Sequence, residues 1–307
     1  MLAYIANTDY EWYQFLFARP DIDEVNFWRP GGHGFRALSP GGPFLFRLKA
    51  PFNAIAGVGF FVHFSVLPAS FAWTAFGTKN GAASETDMRA RVETYRRRFG
   101  KPLDAAANYK IGCVIITETT FFPRADWIRE PNDWRPNIVA GRTEDLAAGE
   151  GRRIWEEVIA RLHGQRVIET VADSARYGPE VVVRPRLGQG AFRILVTDTY
   201  DRRCALTGER TLPVLDAAHI RPYASGGIHA VSNGLLLRSD LHTLFDRGYL
   251  TITPEHHVEV SRRIREEFEN GRDYYALHGS PLRVPGAAEH QPDPSGLLWH
   301  NVNVFRS

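Results

Sequence analysis

The stretch VLDAAHIRPYASGGIHAVSNGLLLRSDLHTLFDRG, residues 214–248, decides how the C-terminal half of the chain folds. Its apolar run up to Ile220 predicts a strand, and the Pro, Ser and Gly residues that follow predict a loop. GLLLR predicts a second strand. SDLHTLFDRG predicts a helix, with Ser239 as its N-cap and Gly248 after its last turn. The predicted order is therefore strand, loop, strand, helix.

Three polar residues stand at defined points of this pattern. His219 ends the first strand, Asn233 begins the second, and His242 lies in the first turn of the helix. This order and spacing resemble the HNH nucleases, whose ββα-metal finger is shared by colicin DNases, homing endonucleases and one nuclease domain of CRISPR effectors. The resemblance covers about residues 190–280. It implies hydrolysis of a phosphodiester bond to a 5′-phosphate and a 3′-hydroxyl.

Each of the three residue types suits one part of that chemistry. A neutral imidazole, with an ordinary pKa of about 6.5, can take a proton from water, so we assign His219 as the general base. His242 is assigned as a ligand of a divalent cation that stabilises the leaving oxygen. The resemblance implies that Asn233 holds the long loop against the finger and so positions His219. Each residue also has a purely structural alternative: a capped histidine at a strand end, a turn asparagine, and a histidine packed at a helix start.

The residue before the predicted base departs from the family pattern. Many HNH fingers carry a second metal ligand there, His or Asp, whereas this chain has Ala218. Side chains alternate between the two faces of a strand, so Asp216 shares a face with Ala218 and is our predicted replacement. The alternative is a solvated carboxylate at the strand end. Asp240 and Asp246 are weaker candidates, and the spacing assigns no role to three other histidines: His229, His256 and His257.

The predicted donor set favours a hard cation. One neutral histidine, one carboxylate, phosphate oxygens and waters suit Mg²⁺ or Mn²⁺ better than tightly bound Zn²⁺. The chain has only two cysteines, Cys113 and Cys204, far apart and without a CxxC partner. A cysteine-rich zinc site and a disulfide framework are therefore excluded, and a reducing cytoplasm is expected.

The charge of the chain permits a nucleic-acid partner without requiring one, because the formal net charge is only +2. HNH fingers bind mainly through phosphates, so arginines near the finger are predicted contacts with double-stranded DNA. The predicted contacts are Arg193, Arg202, Arg203, Arg221 and Arg238. The alternative is that these arginines form an ordinary solvated face.

The N-terminal half has the pattern of a small β-rich domain. Its strand-length apolar runs are PFLFRLK (43–49), AIAGVGFFVHFSVL (54–67) and KIGCVIITETTFF (110–122). A closed or half-closed barrel is expected. Helices are predicted over residues 83–100, with Ser84 as N-cap, and over residues 151–164, which we interpret as the join between the halves. Residues 173–190 are predicted to be a linker with one short strand.

The C-terminal pattern as a whole, from GQGAFRILVTDTYDRRC to EVSRRIREEFENGRDYYALHG, resembles a group of bacterial restriction endonucleases. Several of these join an HNH finger to an N-terminal PUA-like domain, a superfamily that includes the EVE, YTH and SRA readers of flipped, modified bases. The resemblance implies an α+β protein with a PUA-like β-barrel reader in residues 1–147. A helical connector would occupy residues 148–189, and a ββα-metal nuclease domain with a C-terminal tail residues 190–307.

A pocket for a flipped base needs flat apolar walls and a few polar groups. Trp28 and Trp73 lie beside turn residues, and Phe76 follows closely, so these three are the predicted walls of a modified-base pocket. The alternative for each is packing in the barrel core.

The combined interpretation is a metal-dependent endonuclease that cuts DNA carrying 5-methylcytosine or 5-hydroxymethylcytosine, in phage defence. One finger cuts one strand, so a double-strand break suggests a homodimer. The alternatives are a nicking, homing-type or toxin nuclease without modification dependence, and a non-catalytic reader whose finger has degenerated at Ala218. With no signal peptide pattern and no long apolar run, a soluble cytoplasmic protein without membrane contact is expected.

Overall fold

The computed structural model describes residues 1–32, 34–98, 100, 108–164 and 187–307. They form two compact units, Met1–Ala191 (unit 1) and Phe192–Ser307 (unit 2). Each unit combines helices with strands, so the predicted α+β class is confirmed. The short linker strand predicted between residues 173 and 186 lies outside the described residues. None of the described helices has both the length and the apolar character that crossing a bilayer requires.

Unit 1 is built on one mixed sheet. Its strands are β1 (Leu2–Thr8), β2 (Glu24–Arg29), β3 (Pro43–Leu48), β4 (Ala54–Pro68), β5 (Lys110–Phe121), β6 (Ile128–Arg129) and β7 (Gly141–Asp145). The three predicted apolar runs form β3, β4 and β5, and these strands are neighbours in the order β2-β5-β4-β3-β1-β7. β1 runs parallel to β3, β6 pairs with the start of β4, and the pairs other than β1·β3 are antiparallel.

The sheet of unit 1 is open. β2 and β7 stand at the two ends of the strand order, and within the described part of the chain no hydrogen-bonded pair joins them. The expected barrel is therefore not closed by these residues. β4 and β5 approach closely at Gly59, where a Cβ atom would lie 2.4 Å from Ile116 Cγ2. Only glycine permits that approach, which explains a glycine inside a strand.

The described helices of unit 1 are α1 (Tyr10–Phe17), α2 (Ala69–Phe76), α3 (Glu85–Arg98) and α4 (Gly149–Gly164). Ser84 caps α3 as predicted, because its Oγ accepts a hydrogen bond from the Asp87 backbone N–H at 3.1 Å. α4 buries Ile154 and Val158 completely, in one cluster with Ile5 of β1. The helix interpreted from sequence as the join between halves thus packs in the core of unit 1.

Unit 2 contains the predicted strand, loop, strand and helix. Its described elements are α5 (Gln189–Thr199, which begins just before the division), β8 (Leu215–His219), β9 (Gly234–Arg238), α6 (Ser239–Asp246), β10 (Leu250–Ile252), β11 (Val258–Val260), α7 (Arg263–Phe268), α8 (Arg272–Tyr275) and α9 (Pro294–Asn303). β8 and β9 pair antiparallel, with His219 opposite Gly234. β10 and β11 form the next hairpin.

The C-terminal helix α9 packs into the core of unit 2 through Leu297 and His300, which are almost completely buried. The His300 ring stacks on Phe245 with 3.7 Å between ring centres. Its Nε2–H donates to the Phe245 carbonyl oxygen at 3.1 Å, and its Nδ1 lies 2.8 Å from Thr251 Oγ1. Burial lowers the pKa of His300 to about 4, so this histidine is neutral at physiological pH.

Candidate active site

Asn233 organises the long loop between β8 and β9. Its side chain is 9% exposed, and its Oδ1 accepts a hydrogen bond from the Arg221 backbone N–H at 2.9 Å. Its Nδ2 donates to the carbonyl oxygens of Arg221, at 3.0 Å, and Ile228, at 2.9 Å. One buried amide therefore joins both ends of the loop. The effect of Asn233 on catalysis stays a prediction.

His219 occupies the end of β8, where its ring is held by packing. It stacks on Phe192 of α5, with 4.0 Å between ring centres and 11° between planes. Burial, together with the neighbouring His229 and His242, lowers the pKa of His219 to about 4. The imidazole is therefore neutral at physiological pH, the state in which it can accept a proton.

His229 lies on the loop and contacts His219 directly. Its Nδ1 is 2.9 Å from His219 Nε2, and its ring stacks on Tyr223 at 5.0 Å and 12°. Sequence spacing assigns no role to this histidine. Residues of a Gly-rich loop follow neither the helix nor the strand period, so the sequence does not predict this contact between His229 and His219.

His242 projects from α6 between two carboxylates. Its Nδ1 is 3.7 Å from Asp216 Oδ2 of β8, and its Nε2 is 3.2 Å from Asp246 Oδ2, one turn further along α6. Burial lowers the pKa of His242, but the hydrogen bonds and negative charges of Asp246 and Asp216 outweigh burial and raise it above its ordinary value. The structure thus brings Asp216, His242 and the weaker candidate Asp246 together.

Asp216 and Ala218 have different surroundings although they belong to one strand. Ala218 is completely buried in the hydrophobic core beside Leu235 and Leu241. A carboxylate at position 218 would bury a charge among apolar side chains, which is costly. Asp216 is partly exposed, and its Oδ1 lies 3.4 Å from Arg193 Nη2. The carboxylate beside His242 is therefore supplied by position 216.

The chemistry of these donors fits a divalent cation. An imidazole and a carboxylate, completed by water and phosphate oxygens, are a set that Mg²⁺ or Mn²⁺ binds. Among the described residues, however, no group of three or more His, Cys, Asp or Glu side chains already converges on one point. His242 and Asp216 would hold the ion, while Asp246 lies at the other ring nitrogen of His242. Asp240 is instead bound to Arg238 by hydrogen bonds of 2.7 and 2.8 Å.

The predicted phosphate-contacting arginines are all half-buried in unit 2: Arg193, Arg202, Arg203, Arg221 and Arg238. Arg202 pairs with Asp198 at 3.0 Å. Arg221 donates to the Ser225 carbonyl oxygen at 2.7 Å, and its guanidinium lies 5.2 Å from the centre of the Trp299 ring. Because such contacts engage the guanidinium groups within unit 2, a role in DNA binding stays a prediction for each arginine.

Unit 1 contains a cavity of about 960 Å³. Its aromatic lining consists of Tyr4, Trp12, Phe27, Trp28, Phe35, Phe44, Tyr95 and Trp134. Of the three predicted pocket walls, only Trp28 is in this lining. Trp28 Nε1–H donates to the Asn80 carbonyl oxygen at 3.1 Å, which fixes its ring. Phe76 is buried and Trp73 half-buried, both on α2, and neither lines the cavity.

Polar side chains also line this cavity, and the sequence did not predict them. Asp9 accepts hydrogen bonds from Lys49 Nζ and from the Tyr95 hydroxyl, both at 2.6 Å. Burial raises the pKa of Tyr95, and Asp9 raises it further, so the hydroxyl stays protonated. Arg47 donates to Asn7 Oδ1 at 2.7 Å and is placed over the Trp134 ring at 4.5 Å. These residues come from distant segments, so no local motif marks them.

Comparisons with known proteins found one matching family model and several similar solved structures. Residues 204–253 match the family model described as HNH endonuclease. The ASCH protein of Zymomonas mobilis is similar at 10% identity over 50% of this chain and 94% of that chain, with a TM-score of 0.34. The modification-dependent restriction endonuclease TagI is similar at 16% identity over 98% of this chain and 82% of that chain, with a TM-score of 0.31. No curated protein matches the sequence.

The strand, loop, strand and helix place within one finger a neutral histidine and a second histidine between two carboxylates, residue types suited to phosphodiester hydrolysis. The match over residues 204–253, which includes His219, Asn233 and His242, identifies this region as an HNH endonuclease domain. The protein is an endonuclease, as its sequence predicts.

Proposed function

We propose that this protein is a divalent-metal-dependent endonuclease that cuts double-stranded DNA carrying 5-methylcytosine or 5-hydroxymethylcytosine, as a cytoplasmic restriction enzyme against phage. The observation that carries the nuclease chemistry is the placement of His219, Asp216 and His242 within one HNH finger. The large aromatic cavity of unit 1 supports the proposal that the protein recognises a modified base.

In the proposed reaction, His219 takes a proton from a water molecule as the water oxygen bonds to phosphorus. The bond between phosphorus and the 3′ oxygen breaks, and the 3′ oxygen takes a proton from a solvent water, which leaves a 5′-phosphate and a 3′-hydroxyl. A bound Mg²⁺ or Mn²⁺ supplies charge stabilisation at the phosphate and the leaving oxygen. His242 and Asp216 would hold that ion, and Asn233 keeps the loop beside His219 in place.

In the proposed recognition step, a cytosine leaves the duplex and enters the cavity of unit 1. The volume of about 960 Å³ lies at the upper end of the roughly 300–1,000 Å³ typical of ligand pockets, so a base with a substituent can enter. Trp28 supplies a flat stacking surface, while Asp9 and Lys49 supply groups for the polar edge of the base.

The test is digestion of plasmids that differ only in cytosine modification, with Mg²⁺, with Mn²⁺ and with a chelator. We expect cutting of the 5-methylcytosine or 5-hydroxymethylcytosine plasmid, none with chelator, and none by His219→Ala. Equal cutting of modified and unmodified plasmids would refute the modification dependence and favour a nicking, homing-type or toxin nuclease. Failure of the wild type to cut any plasmid with either metal would refute the catalytic proposal and favour a degenerate reader.

We further propose that two copies act together, because one finger cuts one strand. Light scattering with modified DNA should then give two protein chains per complex, and linear product should appear without accumulating nicked circles. A single chain per complex that yields only nicked circles would refute the dimer.

A further inference from the structure

The loop between β8 and β9 brings the ring of His229 against that of His219, and only His219 has a role in the proposed reaction. His219 Nε2 and His229 Nδ1 are 2.9 Å apart, a normal hydrogen-bond distance. Two neutral imidazoles can form this bond only if one nitrogen carries the proton and the other offers its lone pair. The pair therefore has two possible tautomeric arrangements.

Only one arrangement leaves His219 able to act as a base. If His219 Nε2–H donates to His229 Nδ1, then Nδ1 of His219 keeps a lone pair that can take a proton from water. If His229 Nδ1–H donates instead, the Nε2 lone pair of His219 is engaged and its Nδ1 carries the proton. In that second arrangement His219 has no lone pair available for water.

Both rings are held where this bond needs them. Phe192 stacks beneath His219 at 4.0 Å, and Tyr223 stacks on His229 at 5.0 Å. The Asn233 side chain accepts one hydrogen bond and donates two within the same loop. One of them goes to the carbonyl oxygen of Ile228, the residue before His229. A partner fixed in this way can select a tautomer, as outer-shell partners of catalytic and metal-binding histidines do.

We propose that His229 is a positioning residue of the nuclease, which accepts a hydrogen bond from His219 Nε2–H and thereby makes Nδ1 the nitrogen that takes the proton from water. This inference rests on the proposed role of His219 as general base. When His219 is protonated at Nδ1, the same bond to His229 stabilises the imidazolium.

Two substitutions separate the hydrogen bond from the stacking of His229. His229→Phe keeps a ring against Tyr223 but removes the acceptor, whereas His229→Asn loses the ring but keeps an acceptor near the position of Nδ1. We expect His229→Phe to lower kcat about 10- to 100-fold, the usual cost of losing an outer-shell partner. KM for DNA should change less than about twofold, and His229→Asn should recover most of the lost kcat. His257→Phe, at an exposed histidine outside the site, is the matched control.

Nitrogen-15 NMR of histidine-labelled protein tests the same point without any cleavage. We expect His219 to be protonated at Nε2 in the wild type and in His229→Asn, and to become a mixture of tautomers in His229→Phe. An Nδ1-protonated His219 in the wild type, or wild-type kcat in His229→Phe, overturns the role of His229. Retained cleavage in His219→Ala instead overturns the proposed base, a result that the two His229 variants do not produce.

Discussion

The nuclease site of unit 2 and the aromatic cavity of unit 1 are assembled in opposite ways. The polar residues of the nuclease site all come from one continuous segment, from Asp216 on β8 to Asp246 on α6. The cavity is lined by residues from β1, β2 and β3, from α3, and from the segment before β7. A site built from one supersecondary unit can be recognised in the sequence by the spacing of its residues, whereas a site built from distant strands has no such motif.

The largest expected effect tests the nuclease side of this comparison. His219→Ala removes the group that takes the proton from water, and general bases contribute about 10²- to 10⁴-fold to rate. We expect a loss of kcat in that range, measured on the plasmid that the wild type cuts best. Thermal unfolding should stay near that of the His257→Ala control, and a loss below tenfold would argue for another base.

A smaller effect is expected at the residue that replaces the missing ligand at position 218. Asp216→Asn keeps the shape but removes the negative charge beside His242, so metal-dependent cleavage should fall at least about 10- to 100-fold. Raising the Mn²⁺ concentration should recover part of the rate, because the defect is in metal affinity. Asp273→Asn, at an exposed carboxylate on α8, is the control. Full activity in Asp216→Asn would move the ligand role to Asp246.

The cavity is tested by comparing two tryptophans that sequence reasoning treated alike. Trp28→Ala removes a stacking surface worth about 1–3 kcal/mol per base, so binding of modified DNA should weaken about 5- to 150-fold. Trp28→Phe should retain most of the affinity, and Trp73→Ala should retain it all, because Trp73 does not line the cavity. Fluorescence anisotropy with matched modified and unmodified duplexes measures this, and equal losses in Trp28→Ala and Trp73→Ala would contradict the assignment.

The smallest expected effect concerns stability and separates catalytic from structural histidines in unit 2. Burial lowers the pKa of His300 to about 4, whereas the unfolded value is about 6.5. Between these values the unfolded chain binds more protons, so stability falls as the pH falls from about 6.5 to 4, by at most about 1.4 kcal/mol per pH unit for this residue. The lowered pKa of His219 likewise makes stability fall as the pH falls.

Denaturant unfolding of the full chain between pH 7 and 4.5, followed by circular dichroism and compared between the wild type and a His300 variant, measures this dependence. His300→Gln should be less stable at pH 7 but should show a shallower slope with pH. An unchanged slope would mean that His300 does not titrate with unfolding. The same substitution should leave kcat largely intact, since His300 lies in the core, stacked on Phe245.

Much of the secondary structure was predictable because it follows local patterns. The runs that form β3, β4 and β5, the cap at Ser84 and the helix ending at Gly164 all appear where periodicity and turn residues place them. β1 and β2 were not predicted. β1 has no flanking Gly or Pro residue, and each of the two strands is stabilised by a strand much further along the chain, β3 for β1 and β5 for β2.

By itself, the sequence determined the HNH finger: its order of strand, loop, strand and helix, and the spacing of His219, Asn233 and His242. These features are local, since turn chemistry and alternation act over a few residues. Only the tertiary structure decided that Ala218 is core while Asp216 meets His242, that His229 contacts His219, and that Trp28 lines a cavity. Such contacts depend on how loops close and how distant strands pair, and no short-range pattern encodes either.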